Sequence, residues 1–159
     1  MVLTIEQALQ QGVAAHKEGK LQDAERLYRV ILQSQPLHPD ANHNLGVLAV
    51  SVNKANVALP LFKSALEANP KIEQFWLSYI DALIKEKQFE IAKQVLEQGK
   101  KKGLSGNKVD VVDKQLRLTH LINKPKLAVQ MNSLTLSGKR KKLAEQKKQK
   151  KAKKQNLKG

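Results

Sequence analysis

Residues 12–36 read GVAAHKEGKLQDAERLYRVILQSQP, and residues 46–70 read GVLAVSVNKANVALPLFKSALEANP. Laid one on the other at an offset of 34 residues, they put Gly12 on Gly46, Ala24 on Ala58, Tyr28 on Phe62 and Pro36 on Pro70. A further step of 34 brings Ala58 onto Ala92 and Phe62 onto Leu96. Small, aromatic and proline residues that return at one fixed spacing mark an internal repeat. A period of this length means stacked copies of one supersecondary unit.

Around that register each unit reads as two helices. Thr4 and Gln7 have the spacing of a capping box and start the first helix near Ile5. That helix, IEQALQQGVAAHKE, breaks at Gly19-Lys20, and a second, LQDAERLYRVILQSQ, stops before Pro36. Pro39 stands where a first-turn proline is tolerated and opens PDANHNLGVLAVSV in the second unit. IEQFWLSYIDALIKE and FEIAKQVLEQGKKK repeat the pair in the third. Apolar residues fall at helical spacing, as in Leu27, Val30 and Ile31 or Ile80, Leu83 and Ile84. No alternating Val/Ile-rich run points to a strand.

The units are not identical. The third has Ile80 where the others have glycine, and Leu104 where they have proline, so Gly103 is expected to end its last helix. Pro60 falls inside a helix, where its missing N–H costs about 3 kcal/mol or kinks the chain. A bend is expected there rather than a lost repeat. After the third unit, GNKVDVVDKQLRLTHLIN (106–123) has apolar residues at 109, 112 and 116 and again at 118, 121 and 122. Arrays of repeats need an atypical element to cover the last apolar face, and this segment suits that role.

The residues that carry a family likeness are Gly12, Ala24, Tyr28 and Pro36 in the first unit. In the second they are Leu45, Gly46, Ala58, Phe62, Ala65 and Pro70, and in the third Trp76, Tyr79 and Ala92. Residues 4–103 thus resemble the tetratricopeptide repeat. The fold implied is all-α, a right-handed α-solenoid spanning residues 4–122. It comprises units at about 5–38, 39–72 and 73–104 and a capping helix at 106–122. A linker at 123–137 and a Lys-rich tail at 138–159 follow.

In that family the first helix of each pair lines a concave groove that holds an extended peptide or a partner helix. One stripe on those helices is Glu6, Gln10, Val13 and Lys17, then Asp40, Asn44, Val47 and Ser51, then Gln74, Ser78, Asp81 and Lys85. The expected peptide-groove residues are Gln10, Lys17, Asn44, Ser78, Asp81 and Lys85. Gln10, Asn44 and Ser78 stand one period apart, and polar side chains there can hydrogen-bond a peptide backbone whatever its sequence. Repeats that clamp a C-terminal carboxylate use Lys, Arg and Asn on this face. Here Leu9, His43 and Leu77 occupy those places, so that clamp is not expected. Asn44 matches the asparagine ladder of Ser/Thr glycosyltransferase repeats, Gln10 matches it loosely, and Ser78 does not.

Nothing in the chain reads as an active site, so no enzyme is expected. There is no cysteine, which excludes disulfides and thiolate chemistry. His16, His38, His43 and His120 lack metal-ligand spacing, and no glycine-rich phosphate loop precedes a Lys-Ser/Thr pair. No cofactor or metal is expected. Asp110 and Asp113 read as solvated, and Trp76 as repeat core. The N-terminus lacks the basic start and apolar run of a signal peptide. No stretch approaches the roughly 18–20 apolar residues of a membrane span, so a cytoplasmic location is the default.

Charge is placed unevenly. Residues 1–98 hold 10 Lys/Arg and 11 Asp/Glu, whereas residues 99–159 hold 19 and 3. The tail GKRKKLAEQKKQKKAKKQNLKG carries Lys139, Arg140, Lys141, Lys142, Lys147, Lys148, Lys150, Lys151, Lys153 and Lys154. Like charges four apart, as in Lys147/Lys151, oppose an isolated helix, and the tail is expected to be mostly disordered. The alternative function is therefore non-specific polyanion binding through this tail, to an anionic surface or as a weak contact with nucleic acid. Residues 138–159 have no aromatic side chain and a single Arg, which leaves little for reading bases. The layout of three repeats, a closing helix and a Lys/Gln-rich segment also resembles the opening of larger bacterial tetratricopeptide glycosyltransferase or sulfotransferase proteins. On that likeness the tail is a tether and the chain is a recruiting arm.

Overall fold

The computed structural model describes residues 3–122, and among these the chain forms seven helices and no strand. They are α1 (Ile5–Lys17), α2 (Leu21–Ser34), α3 (Pro39–Ser51), α4 (Ala55–Ala68), α5 (Glu73–Lys85), α6 (Phe89–Lys101) and α7 (Asn107–Ile122). The first six pair as α1/α2, α3/α4 and α5/α6, and each pair stacks on the next through α2 on α3 and α4 on α5. This is an all-α tetratricopeptide-type solenoid. The compact array extends to Leu116, and residues 117–122 complete α7. None of the described helices is long and apolar enough to cross a membrane.

Local chemistry sets the helix ends. The Gln7 amide donates to Thr4 Oγ1 at 3.2 Å, and the Thr4 amide donates to Gln7 Oε1 at 3.0 Å, closing a reciprocal capping box on α1. Pro39 occupies the first turn of α3, where a missing N–H costs nothing. Each turn inside a unit is the same motif. Gly19, Asn53 and Lys87, one period apart, all sit at positive φ (76°, 60° and 58°). The next amides, of Lys20, Lys54 and Gln88, reach back to the carbonyls of Ala15, Ala49 and Leu83 at 2.8–2.9 Å. Gly103 (φ 99°) ends α6 in the same manner, with the Leu104 amide on the Gly99 carbonyl at 3.0 Å.

The turns between units are tied down by side-chain donors. Trp76 Nε1 donates to the Pro70 carbonyl at 2.9 Å, and 34 residues earlier the buried Asn42 Nδ2 donates to the Pro36 carbonyl at the same distance. Asn42 also donates to the His38 carbonyl at 3.0 Å. Two unlike residues thus do one job, each satisfying a carbonyl that the proline turn leaves without a helical donor.

Packing within a unit rests on small residues facing large ones. Ala24, Ala58 and Ala92 have no exposed surface, so the paired helices approach closely at that point in every unit. A Cβ added at Gly12 would meet Tyr28 Cε1 at 2.7 Å, and one at Gly46 would meet Phe62 Cε1 at 2.7 Å. The rings therefore fill the space the glycines leave open. Burying a side chain the size of Phe62 is worth about 1.5–3 kcal/mol. The Tyr28 hydroxyl is buried without a hydrogen-bond partner.

Pro60 lies in α4, which continues unbroken from Ala55 to Ala68, so the repeat is kept. The proline is exposed, and the carbonyl it fails to serve, that of Asn56, belongs to an exposed residue as well. On α7, Val109 and Leu116 are buried and Val112 packs against the core, whereas Leu118, Leu121 and Ile122 are exposed. Only the first of the two apolar sets expected to close the array does so. Asp113 is not a solvated carboxylate, for it accepts from Lys100 Nζ at 2.9 Å and ties α7 to α6. That hydrogen bond to Asp113 holds the Lys100 ammonium above its ordinary range.

Candidate functional site

The leading helices α1, α3 and α5 lie side by side, α1 against α3 and α3 against α5. Their common face carries the stripe read from the sequence. Neighbouring stripe positions on one helix pair at the i,i+4 spacing expected of one helical face. Gln10 Nε2 donates to Glu6 Oε1 at 3.1 Å, Gln74 Nε2 donates to Ser78 Oγ at 3.1 Å, and Lys85 forms an ion pair with Asp81. Gln10, Lys17, Asp81 and Lys85 are exposed, and Asn44 and Ser78 are half-buried.

The centre of the face is His43. Its Nε2 stands 3.0 Å from Ser78 Oγ, and its ring leans on Phe75 (centroids 4.7 Å apart) and Phe62 (5.6 Å). Among the described residues this is the side-chain hydrogen bond that joins the face of α3 to the face of α5. Burial pushes the His43 pKa below its ordinary value of 6.5, against the opposing pull of Asn44 and Asp40. The neutral ring is therefore the form that belongs in this site.

His43 occupies the place that Leu9 and Leu77 take in the other units. The structure thus joins Ser78 to His43 and leaves Gln10, Lys17 and Lys85 bonded within their own helices or open to solvent. The His43–Ser78 pair was hidden from the repeat alignment because its partners are 35 residues apart, one more than the period. A histidine among leucines at one repeat position was the signal that could have found it. Charge along the face is mixed: Glu6, Asp40 and Asp81 alternate with Lys17 and Lys85. Among the described residues no three His, Asp or Glu side chains gather as a metal site would require. The tail residues Lys139 to Lys154 lie outside the described residues.

Three tandem helix pairs with this turn and packing define the tetratricopeptide-repeat fold, and solved structures bear the assignment out. The Sgt2 tetratricopeptide domain of Aspergillus fumigatus superposes with a TM-score of 0.64 at 17% identity, over 72% of this chain and 78% of that one. The first such domain of Spaghetti (RPAP3), solved with an HSP90 peptide, gives 0.67 at 16% identity, over 74% and 93%. The type III secretion chaperone SycD of Yersinia enterocolitica, solved with a peptide of the translocator YopD, gives 0.65 at 14% identity, over 73% and 94%. No protein-family model matches the sequence, and neither does any curated protein.

Proposed function

We propose that this chain is a non-enzymatic protein-interaction scaffold that holds a partner polypeptide on the face shared by α1, α3 and α5. The observation that carries the reading is the polar stripe on that face. Gln10, Asn44 and Ser78 recur one period apart on three helices packed side by side, with donors and acceptors suited to a peptide backbone. The neighbours in fold that were solved with peptides, RPAP3 with one from HSP90 and SycD with one from YopD, support it. His43 gives the face a fixed floor, because its hydrogen bond to Ser78 and its two ring contacts hold the joint between units in one geometry.

The test is the double substitution Gln10→Ala and Asn44→Ala, read by partner capture from native extract and by circular dichroism. Capture should fall while the helical signal stays unchanged, because neither side chain supports the core. Undiminished capture would remove the assignment of this face.

A further inference from the structure

At the centre of the face, polar groups from α3 and α5 meet at one oxygen. Gln74 Nε2 donates to Ser78 Oγ at 3.1 Å, and His43 Nε2 stands 3.0 Å from the same atom. A hydroxyl has two lone pairs and a single proton. Gln74 takes one lone pair, so the contact with His43 can run in either of two directions. A bare Nε2 accepts the Ser78 proton. An Nε2–H instead donates to the second lone pair and turns the hydroxyl proton toward the groove.

The surroundings of the ring choose between them. From α4 it meets Phe62 and from α5 Phe75 and Ser78, with Gln74 behind Ser78, and none of these carries a charge. On its own helix, Asp40 is the ionised group that acts on it. The same face carries Glu6 and Lys17 on α1 and Asp81 and Lys85 on α5. Of these, Glu6 accepts from Gln10, Asp81 is paired with Lys85, and Lys17 is open to solvent. Burial against two phenylalanine rings therefore outweighs Asp40 and favours the uncharged imidazole, which has one N–H and one bare nitrogen. Asn44, the next residue, pulls the ring toward its charged form, as an oxygen accepting a ring N–H does. With Nε2 turned to Ser78, that N–H belongs on Nδ1.

We propose that His43 sets the donor and acceptor pattern of the face, and that protonation of its ring reverses that pattern at Ser78. The inference rests on the reading of this face as polypeptide-binding and adds how it is regulated. With the ring neutral, hydrogen bonds run from Gln74 to Ser78 to His43 to Asn44. Asn44, its oxygen held, offers N–H donors to the groove, and Ser78 offers its remaining lone pair. A donor on α3 and an acceptor on α5 match the carbonyl and the N–H of a partner backbone in one chain direction. With the ring charged, Nε2–H fills that lone pair, and Ser78 presents a donor as well. The face then suits carbonyls alone. A partner bound to the neutral form is held less tightly as pH falls below 6.5 toward the lower folded value.

NMR of the full chain, isotope-labelled at the histidine nitrogens, tests this without a partner. His43→Leu identifies the His43 signals among those of the four histidines. Above 6.5, His43 should show the Nδ1–H tautomer, with Nε2 at the shift of a bare nitrogen. Below its folded pKa a slowly exchanging Nε2–H proton should appear. Ser78→Ala should lose both the tautomer preference and the slow exchange. It should keep the helical signal, since Ser78 lies outside the buried core. An Nε2–H tautomer above 6.5 in the wild type overturns the proposal. So does a Ser78→Ala chain whose His43 signals match the wild type. With no partner present, either result leaves the polypeptide-binding reading to its own capture test, and failed capture leaves the tautomer as measured.

Discussion

In the first two units the glycine that lets the helices meet lies on the leading helix, Gly12 against Tyr28 and Gly46 against Phe62. In the third unit it lies on the trailing helix. A Cβ at Gly99 would meet Leu104 Cδ2 at 2.7 Å and Trp76 Cε3 at 3.1 Å. Meanwhile Ile80 and Leu96, both buried, take the places of glycine and ring. A second exchange runs beside the first: the pairs Ala8/Ile31, Asn42/Ala65 and Trp76/Gly99 grow on one helix as they shrink on the other. What the units share is filled volume across each helix pair, reached with different residues.

The largest expected effect comes from forcing one solution into the other's place. Gly46→Ile should cost about 1–3 kcal/mol in chemical denaturation, because the branched side chain enters the space of the Phe62 ring. The double variant Gly46→Ile with Phe62→Leu copies Ile80 and Leu96 and should recover much of that loss. The coupling expected is about 0.5–3 kcal/mol, as for residues in direct contact. A double variant no more stable than the single one would mean that the two solutions do not transfer between units.

A smaller effect separates the joints. The second unit places His43 where the first and third place leucine. The folded His43 pKa lies below 6.5, so the folded state takes up its proton later than the unfolded chain does. Stability contributed by the neutral ring is complete above 6.5 and is lost as pH falls from there toward the lower folded value. Thermal melts on either side of 6.5 should show that loss in the wild type, and His43→Leu should flatten it. An equal slope in the variant would place the titration elsewhere. The smallest effect is Tyr28→Phe, which copies Phe62 and removes a buried hydroxyl without a partner. It should leave stability unchanged or raise it by about 1 kcal/mol, and a measurable loss would mean that the hydroxyl has a role in the fold.

The period was legible because Gly12 and Gly46, Tyr28 and Phe62, and Pro36 and Pro70 keep their chemical type. The Thr4 capping box and the first-turn Pro39 were legible because they act within a few residues. The Trp76/Gly99 exchange was not, since matching residue types misses a volume moved from one helix to its partner. Nor was the shared role of Asn42 and Trp76, whose side chains have in common only an N–H at the right reach. Lys87 hides the recurring left-handed turn because the positive φ that Gly19 announces is imposed there by the helices on either side. Of the candidate face, the stripe followed from helical spacing, while the His43–Ser78 bond needed the offset between stacked units.

The most direct test of the account is site-specific photocrosslinking. A benzophenone side chain is placed in turn at Gln10, Asn44 and Ser78 on the leading helices, and at the exposed Lys63 and Gln94 on the trailing ones. Adducts with one partner polypeptide should form from the first three positions and not from the last two. Adducts from Lys63 or Gln94, with none from the stripe, would contradict the placement of the binding face.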